Sequence, residues 1–191
     1  MQRPNGVLQM HPSILFTALL SGPLLAAAPS AALAQHTAHQ PAAPEWASPY
    51  AGMQGRDIKA LSPQQIADLR EGKGMALALA GELNGFPGPS HVLEMADALG
   101  LSAEQRATTQ QLLEQMKTQA RTLGAEVIAA EGRLDALFKE RRVTRDNLMT
   151  ATLQVANAQG RLRAAHLGYH LTMAELLTAG QIEIYNQLRG Y

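Results

Sequence analysis

The chain contains no cysteine. Disulfides and thiolate metal sites are thereby excluded, and a transition metal has only His, Met and carboxylate ligands available. Aromatic residues are scarce at 4%. Ala, Leu, Gln and Met are plentiful, a balance that favours packed helices over a sheet. Neither sign of charge is in excess, with 16 Lys+Arg against 16 Asp+Glu, so no basic field exists to attract nucleic acid. A Ser-His-Asp context, a metalloprotease helix motif and a phosphate loop are also missing. Gly72-Lys73-Gly74 lacks the earlier spaced glycine and the strand of such a loop. With these gone, the chain is expected to act by binding and not as an enzyme.

Long hydrophobic runs are confined to the beginning of the chain. Arg3 precedes the apolar stretch Ile14 to Ala28, and the small-residue sequence Ala32-Leu33-Ala34 leads into Gln35. This pattern reads as a secretory signal peptide over residues 1–34. Pro23 interrupts the run, which falls short of the roughly 20 residues needed to span a bilayer. Cleavage and export are therefore expected, with retention as a signal anchor the alternative. Charges interrupt every apolar stretch after Gln35, so no later membrane span is expected. Residues 35–57, with His36, His39, Pro41, Pro44, Pro49 and Gly52, read as a flexible tail with nothing to bury. Residues 58–191 read as one helical domain.

Within that domain the breakers set the boundaries. A short helix is predicted from Leu61 to Glu71 and another from Gly74 to Leu83, ended by Asn84-Gly85-Phe86-Pro87-Gly88-Pro89. A third runs from Pro89 or Ser90 through Leu99 until Gly100 stops it. Leu113, Met116, Ala120, Leu123, Val127, Ala130, Leu134 and Leu137 then follow alternating steps of three and four, one stripe down a helix from Ala103 to Lys139. Past a charged tip, Lys139 to Asn147, the pattern resumes at Leu148, Ala151, Val155, Ala158, Leu162, Ala165, Tyr169, Thr172 and Leu176. Two such helices make a long antiparallel hairpin in an all-α fold, flanked by shorter helices. Its Ala-rich seam leaves apolar surface for those helices, or a second subunit, to cover.

One phrase occurs at both ends of this stretch: Leu101-Ser102-Ala103-Glu104-Gln105 and Leu177-Thr178-Ala179-Gly180-Gln181. In Leu-Ser/Thr-x-x-Gln the hydroxyl caps a helix, and the Gln reaches back to the cap's own N–H. Leu61-Ser62-Pro63-Gln64-Gln65 is a related box with Pro at the favoured first helical position. Taken with the export signal, the missing cysteines and the hairpin, these boxes resemble the signature of the Spy/CpxP superfamily of small helical periplasmic proteins. That superfamily includes metal-responsive members of the ZraP and CnrX kind, and the resemblance covers about residues 89–191. It implies a periplasmic location, a hooked hairpin that forms a homodimer, and a role in envelope stress. The role would be that of an ATP-independent chaperone for unfolded clients or an adaptor for an envelope signalling protein. The alternative is a sensor or binder of heavy metals such as Zn, Ni, Co or Cu. The chaperone members resemble a basic cradle, whereas here the clearest basic cluster, Lys139, Arg141, Arg142 and Arg145, sits at the hairpin tip.

Three of the six histidines lie outside the signal and tail: His91, His166 and His170. Four residues separate the last two, so on a helix both imidazoles leave from one face and can share an ion. Because both arms rise equally per residue, a turn near residue 142 sets position 170 level with Glu114. Folding back at Gly100 brings His91 toward the same end. His91, Glu114, His166 and His170 are therefore candidate metal ligands, with Met95 and Met173 as softer reserves. The layout is similar to that of the metal-sensing members, with Met for His in the early pair and His for Met in the late one. The same side chains also suit a structural role, His91 in solvent and the late pair packed at the edge of the seam.

Overall fold

A computed structural model of the protein describes Trp46 and residues 48–191. The expected signal peptide, most of the expected tail, and His36 and His39 fall outside the described residues. A 3-10 turn at Met53–Gly55 leads into α1 (Pro63–Glu71), α2 (Leu79–Glu82), α3 (Pro89–Glu94), α4 (Ala103–Lys139), α5 (Arg145–Leu176) and α6 (Ala179–Arg189). The fold is all-helical, with α4 and α5 packed together as the predicted hairpin. Among the described residues no helix is long and apolar enough to cross a membrane.

Capping explains where these helices begin. Ser62, Ser102 and Thr178 each accept from the backbone N–H three residues on, while the Gln at that position returns a bond to the cap. A fourth box starts α5: Thr144 caps it, with Asn147 in the reciprocal role. It brings the helix start to Arg145, three residues earlier than the apolar pattern suggests. At the tip, Arg141 adopts φ 54 and Arg142 pairs with Glu140. Helices α2 and α3 are shorter than expected. Gly74 to Ala78 forms turns in which Met75 and Ala76 take φ of 45 and 60, so α2 is confined to its last turn.

The seam on α4 follows the predicted stripe, every member being buried or half-buried. On α5 the first member, Leu148, is exposed beside the tip; agreement holds from Ala151 through Val155, Ala158 and Leu162, after which the buried positions are His166, His170, Met173 and Leu177. Ala165, Tyr169 and Thr172 lie one residue off that row. The row turns because α2 and α3 pack on this part of α5, drawing inward the face that meets them. As a result, the two histidines are interior side chains.

Two apolar clusters hold the unit together. In the middle of the hairpin, Leu61 and Leu69 of the α1 segment close over Ala120, Val127, Ala130, Val155, Ala158 and Leu162. At the open end, Val92 and Leu99 pack with Met173, Leu177 and Tyr185. Helix α1 reaches α4 only because Gly124 has no side chain: a Cβ there would stand 2.3 Å from the Leu69 carbonyl oxygen. Gly124→Ala must push α1 away, an overpacking cost of about 1–3 kcal/mol. Urea denaturation should show a lower midpoint, and an unchanged midpoint would contradict this seating of α1.

The two Leu-Ser/Thr-x-x-Gln boxes meet. Gln105 Nε2 donates to Gln181 Oε1 at 2.9 Å, and Gln181 Nε2 donates to Gln105 Oε1 at 3.0 Å. Each amide also donates to a carbonyl across the contact, Gln105 to Leu176 at 3.1 Å and Gln181 to Leu99 at 3.3 Å. With the bonds to their own caps, both carboxamides use all four of their hydrogen-bonding positions. The starts of α4 and α6 are thereby clasped.

Candidate functional site: a buried carboxylate among histidines

Glu82 ends the short helix α2 and is 6% exposed. Such burial requires partners for the carboxylate, and the chain supplies them from α3 and the C-terminal segment. The hydroxyls of Tyr185 and Tyr191 donate to Oε1, the latter at 3.2 Å. Arg189 Nε and His91 Nδ1 each stand 3.3 Å from the same oxygen. Burial, reinforced by the Glu82 carboxylate, drives the Tyr185 hydroxyl well above its ordinary range, so this phenol acts as a donor. His170 Nδ1 lies 2.7 Å from the Phe86 carbonyl oxygen and 3.7 Å from Glu82 Oε2. A carbonyl can only accept, so Nδ1 carries the proton, and in the neutral ring Nε2 keeps the lone pair.

Among the described residues two polar atoms in this region accept no hydrogen bond from the protein: Glu82 Oε2 and His166 Nε2. Both residues border a cavity of about 410 Å³ that is also lined by Gly88, Leu113, Met116 and Lys117. Gly88 permits this arrangement, since a Cβ there would lie 2.8 Å from His170 Cε1 and 2.9 Å from its Nε2. His166 is 2% exposed. Burial first, and the neighbouring His170 second, hold its pKa below the ordinary 6.5.

That depression has a sign. The unfolded chain binds the His166 proton more readily than the folded one, so its contribution to stability is present above the unfolded pKa. It is lost as pH falls below 6.5 toward the lower folded value. Urea midpoints should drop on acidification through this window, and His166→Leu should flatten the decline. An equally steep decline in the variant would remove His166 as its source.

The other expected ligands are placed differently. Glu114 has the predicted height but points elsewhere: it borders the surface near Tyr169 and pairs with Lys117 at 3.6 Å. Leu113, Met116 and Lys117 turn toward the histidines instead. One residue of rotation, about 100°, separates the two faces. Met95 packs half-buried against the open-end cluster, and Met173 is fully buried within it. Neither borders the cavity. Among the described residues no three His, Asp or Glu side chains are arranged to hold a metal ion. His91 and His170 thus do converge, but on Glu82, which the spacing does not single out, while His166 borders the same cavity. Glu82 is the only charged residue between Lys73 and His91, and an acid alone in an apolar segment is the signal that pointed to it.

Compared with protein-family models, curated proteins and solved structures, the chain matches none.

Proposed function

We propose that this protein is a periplasmic binding protein of the Spy/CpxP type, which captures partly unfolded proteins, or an envelope signalling protein, without nucleotide. The observation that carries this reading is the apolar surface at the open end. Leu79 of α2, Leu83 just past its end, Phe86, and Ile184 and Leu188 of α6 are all exposed, Leu83 by 57% and Leu188 by 54%. Their elements are fastened from within by the Glu82 contacts. The chain therefore holds apolar side chains in water on a fixed frame, as a surface for extended apolar segments requires. The doubly capped boxes, and a signal peptide over residues 1–34, support the envelope setting.

The test is suppression of aggregation of an unrelated unfolded protein at roughly stoichiometric amounts. Suppression by the native chain that is lost in Leu83→Ser/Leu188→Ser is the expected result. No suppression by the native chain would end the chaperone reading.

A second reading is favoured by the two unpartnered atoms on the cavity. Glu82 and His166 carry the hard and borderline donors that suit a divalent ion such as zinc or nickel, with water completing the shell in place of a third ligand side chain. An ion held there would neutralise the carboxylate and tie α2 to α5. Calorimetric titration with zinc, nickel, cobalt and copper tests this: binding should vanish in His166→Ala/His170→Ala and persist in Glu114→Ala. Binding that survives the double variant would refute the site.

A further inference from the structure

The donors around Glu82 are unevenly shared. Tyr185, Tyr191, Arg189 and His91 all address Oε1. Among the described residues Oε2 accepts no hydrogen bond, although the side chain is buried; His170 Nδ1 is 3.7 Å away and committed to the Phe86 carbonyl. His166 Nε2 is buried without a partner as well, and it accepts in the tautomer that places the ring proton on Nδ1. A third acceptor is His170 Nε2, which keeps its lone pair because Nδ1 carries the proton. Gly88 lets two of them face one space. Its backbone is extended, with φ -94, so nothing in the conformation calls for glycine. A Cβ there would stand 2.9 Å from His170 Nε2 and 3.7 Å from Glu82 Oε2, so both acceptors border the volume that the missing side chain leaves.

The rest of the wall limits what this cavity can hold. Leu79, Pro89, Leu113 and Met116 line it, so a fitting molecule needs a hydrocarbon body. An anion would meet the bare carboxylate oxygen. A wholly apolar molecule would leave Oε2 and His166 Nε2 buried with no donor, at the full desolvation cost of each. A primary ammonium carries three N–H donors on one atom and makes charge-assisted bonds to a carboxylate. Lys73 and Lys117, also on the wall, are already paired, with Glu71 at 2.9 Å and Glu114 at 3.6 Å. A volume of about 410 Å³ is near the lower end for small-molecule sites, which suits a molecule with a single short chain or ring. The wall is completed by a strained segment. Met75 and Ala76 take φ of 45 and 60 and both line the cavity, and left-handed backbone at residues with side chains clusters at ligand clamps.

We infer that this cavity binds a small primary monoamine, whose ammonium donates to Glu82 Oε2 and the two histidine Nε2 atoms while its hydrocarbon body lies among Leu79, Leu113 and Met116. Arg189 then meets one carboxylate oxygen, with its own side chain a third exposed, and the ammonium meets the other from within. The amine ties α2, which carries Glu82, to α5, which carries both histidines. The inference takes the cavity of the metal reading without its ion. It is independent of client capture too, since Leu83 and Leu188 are not part of the cavity wall.

Calorimetric titration of the full-length chain with 2-phenylethylamine, in buffer containing EDTA, tests this. Saturable binding of one amine per chain is expected. 2-Phenylethanol keeps the body but offers one neutral donor, and it should bind about tenfold more weakly. Phenylacetate, with a carboxylate in place of the ammonium, should not bind. Glu82→Gln should weaken the amine about tenfold. Met116→Trp fills the cavity from a half-buried position on α4 and leaves the Glu82 contacts in place; it should abolish binding while helicity stays native. No saturation of the native chain, equal affinity for the alcohol, or amine binding indifferent to Met116→Trp would each overturn the proposal. Zinc binding in EDTA-free buffer by a chain that fails to take the amine would overturn this inference and leave the metal reading in place.

Discussion

Glu82→Ala should lower the stability of the protein by about 3–5 kcal/mol, the cost of removing one member of a buried charged cluster. The loss is large because several groups have arranged themselves around this carboxylate. Tyr185, fully buried, loses the acceptor of its hydroxyl, and Arg189, His91 and Tyr191 lose the oxygen they share. These residues belong to α3, α6 and the chain's last residue, while Glu82 belongs to α2. The substitution therefore unfastens the open end and leaves the hairpin middle, closed by Leu61 and Leu69, in place. Glu82→Gln should cost less, about 1–2 kcal/mol, since an amide oxygen still accepts from a tyrosine. Urea denaturation followed by far-UV dichroism measures both. Hydrogen exchange should show the excess opening in α2, α3 and α6. An alanine variant as stable as the native chain would mean that the carboxylate is tolerated and contributes nothing net.

The glutamine clasp carries the second large effect. Gln105→Ala removes its bonds to Gln181, Leu176 and its own cap and leaves the Gln181 amide short of partners, a loss of about 2–3 kcal/mol. Gln105→Glu should be no better, although it is nearly isosteric and can still receive the Ser102 N–H. A carboxylate cannot donate, so it would present oxygen to Gln181 Oε1 and to the Leu176 carbonyl. Because the two side chains act as one unit, the double alanine variant should cost less than the two single losses together, with a coupling of about 1–2 kcal/mol. Strictly additive losses in a double-mutant cycle would show that the amides do not work through each other.

The hairpin was legible because it is written in local terms. Period, charge at the tip and capping chemistry repeat along α4 and α5, and each can be read within a few turns. Reading failed where a contact joins distant segments. His166 and His170 were found by their spacing, but their direction depended on α2 and α3 lying against α5, which no pattern within α5 expresses. Height along the bundle points to Glu114. Height follows from helical rise alone, whereas azimuth depends on which side the short helices take, and Glu114 faces the surface beside Tyr169 and Lys117. Glu82 escaped because its partners, Tyr185, Arg189 and Tyr191, lie about a hundred residues further along the chain. Thr144-x-x-Asn147 was passed over for a simpler reason, since Asn in place of Gln at the third position hid a capping box.

The clasp between Gln105 and Gln181 joins residues 76 positions apart in sequence, yet its place in the order of folding is not set by that distance alone. The turn between Lys139 and Arg145 closes a short loop, after which α4 and α5 can zip together through neighbouring contacts. Once they have done so, the two glutamines are already near one another, and the long closure entropy has been met in small steps. Contacts of this kind are expected to form after the main barrier. Damage at the clasp should thus leave the folding rate nearly untouched and speed unfolding, so the boxes act on the lifetime of the assembled molecule more than on the route by which it forms.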